Sequence, residues 1–85
     1  MNLPAEDMAP VANRIRRARG QLDGIVRMLE EGRSCEDVVT QLAAVSRALD
    51  RAGFAVIASG LRQCVDTDDS ELDVKRMERL FLSLA

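Results

Sequence analysis

Cys35 and Cys64 are the two residues of this 85-residue chain best suited to chemistry, and they are its only cysteines. A thiol pair can be joined by a disulfide or a longer sulfur bridge, or can hold a soft metal ion through two thiolates. No histidine is present, which removes the commonest metal ligand and the commonest general base. There is also no glycine-rich phosphate loop and no carboxylate pair suited to a cleft, so the sequence reads as a non-enzyme without a cofactor. A free cysteine is often just a small buried hydrophobe. The placement of this pair argues for more.

Both cysteines fall on one predicted helix. Ser34 is its candidate N-cap, with Asp37 three residues on as a short-acid version of the capping box, so Cys35 sits in the first turn. Val38, Leu42, Val45, Leu49, Ala52 and Val56 then follow at 4-3-4-3-4 spacing, a heptad seam. A second apolar set, Val39, Ala43, Phe54, Ile57 and Leu61, lies off that seam, which makes this helix central. The run Asp66-Thr67-Asp68-Asp69 ends it. Upstream, Val11, Ile15, Ala18, Leu22, Ile25 and Leu29 mark a first helix that begins near Pro10 and stops at Gly32. Gly20 and Gly24 weaken it locally and leave room for another backbone. Downstream, Ser70 with Asp73 caps a short third helix carrying Leu72, Met77, Leu80, Phe81 and Leu84. The fold class is all-α, with residues 1–9 a flexible N-terminal arm and residues 10–85 a single helical domain. Met8, Met28 and Met77 read as ordinary core or arm residues.

Helix length constrains the cysteines. Twenty-nine residues at about 1.5 Å each separate Cys35 from Cys64 by roughly 43 Å, whereas a disulfide needs Cα atoms within about 7 Å. They cannot meet within one chain. If two copies of the helix pack antiparallel through the heptad seam, Cys35 of one copy comes beside Cys64 of the other, twice by symmetry. The positive end of the helix dipole favours the thiolate of Cys35, which makes it the better nucleophile and Cys64 the better resolving thiol.

Composition supports self-association. Hydrophobic residues make up 47% of the chain, with two Phe and no Trp or Tyr, and so short a chain buries only a modest share of its surface alone. No apolar run approaches the roughly 20 residues that span a bilayer, and no signal-like N-terminus is present; the expectation is a cytoplasmic protein with no membrane partner. Net charge is −2, yet Arg14, Arg16, Arg17 and Arg19 fall in a stretch without acids, while Asp66, Asp68, Asp69, Glu71 and Asp73 crowd a later one. The average hides a basic patch.

The segments Asn13-Arg14-Ile15-Arg16-Arg17, Arg19-Gly20-Gln21-Leu22-Asp23-Gly24-Ile25-Val26-Arg27-Met28-Leu29-Glu30, Cys35-Glu36-Asp37-Val38 and Gln41-Leu42-Ala43-Ala44-Val45, with the 29-residue step to Cys64, closely resemble the signature of the copper-sensitive operon repressor (CsoR) family. The resemblance covers about residues 11–65. It implies a three-helix protomer, an antiparallel four-helix-bundle dimer, and a dimer of dimers that binds operator DNA until a ligand lowers its affinity. It also implies DNA contact by Arg14 and Arg51, with Arg16, Arg17, Arg19 and Arg47 as neighbours. Repetition of that patch in an oligomer offsets the unfavourable net charge, with steep salt dependence and a share of DNA-shape readout.

In copper sensors of this family the site is a cysteine, then a histidine four residues before a second cysteine. The matching positions here are Cys35, Gly60 and Cys64, so the histidine is missing. Nickel, cobalt and zinc branches also depend on imidazoles. The formaldehyde-responsive branch pairs its thiol with an N-terminal proline, which the start Met-Asn-Leu-Pro does not supply. The branch with two cysteines and no histidine is the persulfide-sensing one, the CsoR-like sulfurtransferase repressors (CstR). The expectation is therefore a homotetrameric or homodimeric repressor, released from its operator when reactive sulfur species crosslink Cys35 to Cys64 of a second subunit. The alternatives are a copper(I) sensor using Cys35 and Cys64 as a bis-thiolate site and, from another class, a non-catalytic helical interaction module.

Overall fold

The computed structural model describes residues 2–66 and 71–85, leaving the side chains of 64–66 and 71–73 outside the description. A 3-10 turn, Ala5–Met8, leads into α1 (Ala9–Glu30), followed by α2 (Cys35–Asp66) and α3 (Glu71–Leu84). No strand occurs among the described residues. The aperiodic N-terminal stretch thus holds one ordered turn, with the Asp7 amide donating to the Pro4 carbonyl at 3.1 Å. Glu6 and Asp7 lie in its first turn, where carboxylates suit the positive end of a helix.

The α1–α2 junction is built as its residue types require. Gly32 adopts φ +72°, a left-handed conformation that costs a side-chain-bearing residue roughly 1–2 kcal/mol. Around it the Arg33 amide donates to the Met28 carbonyl at 3.0 Å and the Gly32 amide to the Leu29 carbonyl at 3.3 Å. This paired closure is the Schellman motif. Ser34 Oγ then accepts the Asp37 amide at 3.2 Å, capping α2. The Asp37 carboxylate does not complete a capping box; it pairs with Arg33 at 3.8 Å, an exposed contact of little energetic weight. The second expected cap, Ser70 with Asp73, lies outside the described residues.

Tight reversal lays α1 antiparallel to the first half of α2. Ala18 and Ile25 of α1 bury against Val38 and Val45 of α2, with Met28 packed alongside. On the second half of α2, Ile57 and Met77 of α3 form a separate buried cluster, and Phe54 and Phe81 meet with ring centroids 5.3 Å apart. Helix α3 approaches closely because α2 carries glycine there. A Cβ on Gly53 would stand 2.7 Å from Leu84 Cδ1, and one on Gly60 would stand 2.6 Å from Met77 Cε.

Burial divides the predicted heptad seam in two. Val38, Val45 and Ala52 are buried within the protomer, whereas Leu42 and Leu49 remain exposed. Periodicity marks a stripe wide enough for two neighbours without saying which is its own α1. The same holds on α1, where Ala18 and Ile25 are buried but Ile15, Leu22 and Leu29 are not.

Candidate thiol site and basic cleft

Cys35 opens α2 and is exposed. From Cys35, steps of seven and four along the helix reach Leu42, Leu49, Gly53, Gly60 and Cys64, so all six positions lie on one side of α2. Because α2 runs unbroken through Cys35–Asp66, the two cysteines occupy opposite ends of that side and cannot meet in one protomer. The Cys64 side chain itself is outside the described residues. Between the ends, α3 covers the Gly53 and Gly60 portion, and the portion from Cys35 to Leu49 is open.

That opening is apolar. Ile15, Leu22 and Leu29 of α1 and Leu42 and Leu49 of α2 are each between 41% and 62% exposed. They flank the buried α1–α2 contact on its Cys35 side, so the thiol borders a surface that water covers poorly.

On the opposite side of the same contact, Arg14, Arg17 and Gln21 of α1 and Ala48 and Arg51 of α2 line a cleft of about 250 Å³. Three arginines line it with no carboxylate among them, a composition that attracts anions and, with the forked donors of arginine, suits phosphate. Of the six arginines expected from the sequence, the structure brings together Arg14, Arg17 and Arg51. Arg16 turns away and donates to Asn13 Oδ1 at 2.8 Å. Arg19 and Arg47 are exposed outside the cleft. Spacing on α1 separates Arg16 from Arg14 and Arg17, but the partnership with Arg51 needs the tertiary fold.

The position where a histidine would be expected is a buried glycine. Gly60 is packed under the tip of Met77, whose Sδ lies 3.1 Å from where a Cβ at position 60 would stand. The sequence gives one signal of this contact, two glycines seven residues apart inside a helix. Among the described residues no group of three or more His, Cys, Asp or Glu side chains could hold a metal ion. No helix among them is long and apolar enough to cross a membrane.

Residues 7–83 match the family described as metal-sensitive transcriptional repressor. Similar proteins include the copper-sensing transcriptional repressor CsoR of Mycobacterium ulcerans (strain Agy99), 48% identical over 52 residues, covering 61% of this chain and 44% of the relative. The CsoR of Mycobacterium tuberculosis (strain ATCC 25618 / H37Rv) is 46% identical over 55 residues, covering 65% and 46%. The copper-sensing transcriptional repressor RicR of the same strain is 44% identical over 54 residues, covering 64% and 56%. The chain spans about half the length of these relatives. No solved structure matches it at a significant level.

Proposed function

Because this chain belongs to the metal-sensitive transcriptional repressor family, we propose that it is a copper(I)-responsive repressor. As an oligomer it binds operator DNA through the Arg14, Arg17 and Arg51 clefts. It lets go when copper(I) is held between Cys35 of one protomer and Cys64 of the partner subunit. The observation that carries this reading is the position of Cys35, exposed at the end of α2 on the apolar face that a second copy would cover. Its likeness to copper-sensing repressors adds the ligand.

The donor set fits the ion. Two thiolates suit a soft monovalent metal, and with no histidine in the chain the site has no imidazoles to offer nickel, cobalt or zinc. Cys35 and Cys64 are the residues that would hold copper(I), which would supply a soft Lewis acid to their two thiolates. Cys35 provides a thiolate at a helix start, Cys64 one near a helix end, and the apolar border of Ile15, Leu22 and Leu42 limits water. Holding Cys35 beside the partner's thiol would shift the balance between two quaternary arrangements and misalign the arginine clefts relative to the phosphates.

The glycine at position 60 favours a second reading, a persulfide sensor. The Cys35 thiolate attacks a terminal sulfur of a polysulfide, which leaves one sulfur shorter. The Cys64 thiolate of the partner subunit then attacks the Cys35 persulfide and expels hydrosulfide, giving an intersubunit disulfide; longer bridges retain more sulfur. One experiment separates the readings. Binding to a duplex from the upstream region of the chain's own gene is followed by fluorescence anisotropy under anaerobic conditions, with copper(I) or with tetrasulfide. Copper(I) should release wild type and leave Cys35→Ser bound, with no covalent adduct by intact mass. Release by tetrasulfide alone, with a crosslinked dimer by mass, would replace the copper reading with the sulfur one.

A further inference from the structure

We infer that Met77 supplies a thioether as the third donor to an ion held by the cysteine pair, standing where a side chain at position 60 would otherwise reach. This inference rests on the copper(I) reading.

A glycine inside a helix costs roughly 0.5–1 kcal/mol relative to alanine, so Gly60 in the middle of a 32-residue helix requires a reason. The reason on display is Met77. A Cβ at position 60 would stand 2.6 Å from Met77 Cε and 3.1 Å from Sδ, so the absence of a side chain is what admits the sulfur-bearing tip. Met77 is 4% exposed and packs on Ile57. Ile57, Gly60 and Cys64 are successive turns on one side of α2, and residues four apart hold their Cβ atoms about 5–6 Å from one another. Met77 Sδ is therefore seated over position 60, one helical turn before position 64, on an unbranched side chain.

The chemistry suits the place. Thioethers, like thiolates, select copper(I). Two thiolates around one copper(I) already carry a net negative charge. A neutral thioether adds a donor without adding charge beside the mainly apolar trough that Ile57, Leu61, Met77, Glu78, Phe81 and Leu82 line between α2 and α3. A third carboxylate or thiolate there would leave additional buried charge unpaired.

The full-length chain is loaded with copper(I) and compared with Met77→Leu, a volume-conserving change that keeps the packing, with Met28→Leu as control. Copper-edge X-ray absorption should count three sulfur neighbours in wild type and two, at shorter distance, in Met77→Leu. Competition with a chromophoric copper(I) chelator should show affinity weakened on the order of tenfold or more, at least the loss expected for an outer-shell partner. Selenomethionine-labelled protein, which leaves the fold intact, should show a copper–selenium distance in wild type that Met77→Leu removes. The pair Met77→Ala with Gly60→His, which puts an imidazole into the vacated space, should restore three-coordination with one nitrogen neighbour. A wild type with two sulfur neighbours, no copper–selenium distance and an affinity that Met77→Leu leaves unchanged overturns the role of Met77 while keeping the thiolate pair. A wild type whose copper(I) uptake survives Cys35→Ser overturns the copper reading and this inference with it.

Discussion

Arg14, Arg17 and Arg51 face one cleft, whereas Arg16 is tied to Asn13 on another side of α1. Substitutions at the two places should separate cleanly. Arg51→Ala should weaken binding to the upstream duplex across sequences and lower the slope of log affinity against log salt by about 1 for each cleft lost, since each guanidinium neutralises one phosphate. Arg16→Ala should leave that slope unchanged, measured by anisotropy between about 50 and 200 mM salt. Equal slopes for both variants would remove the cleft from the interface. Residue types along α1 made the basic patch legible. Arg51 became its partner only through the α1–α2 reversal, and the two glycines inside α2 signal a close approach without naming Met77, because 17 positions and a whole helix boundary separate it from Gly60.

Helix boundaries were legible where they rest on local chemistry. Gly32 at φ +72° and Ser34 over the Asp37 amide act within one turn of their own positions, so residue type alone signals them. Gly32→Ala should therefore lower stability by roughly 1–2 kcal/mol, and Ser34→Ala by about 1 kcal/mol, both read from urea midpoints by circular dichroism. Which half of a heptad stripe faces the protomer's own α1 depends on tertiary partners, and the spacing of Val38, Leu42, Val45 and Leu49 could not say. Gly20 offers a test across these levels. Within the protomer nothing stands within 4 Å of where its Cβ would be, so in an isolated protomer Gly20→Ala should stabilise α1 by about 0.8–1 kcal/mol. A lowered melting temperature instead would mean that a neighbouring backbone in the assembly occupies that space.

The protomer measures 53 × 25 × 13 Å with a radius of gyration of 16.5 Å, against about 12 Å for a compact domain of 85 residues. Its accessible surface is 6374 Å², where a compact protein of its mass would expose about 5,000 Å². The excess, together with the open row of Ile15, Leu22, Leu29, Leu42 and Leu49, is surface that the proposed second copy would bury. Leu42→Glu with Leu49→Glu should convert the proposed oligomer to monomers in sedimentation velocity at micromolar concentration, because each leucine buried in an interface contributes roughly 1.5–3 kcal/mol. An unchanged sedimentation coefficient would remove this face from the proposed interface. The unbroken run of α2 through Cys35–Asp66 makes it a lever. Arg51 stands about 24 Å along that shaft from Cys35 at about 1.5 Å per residue. A tilt of about 5° pivoting at the thiol end would then swing Arg51 by about 2 Å, the difference between a guanidinium hydrogen-bonded to phosphate at about 2.8 Å and one that has lost its grip.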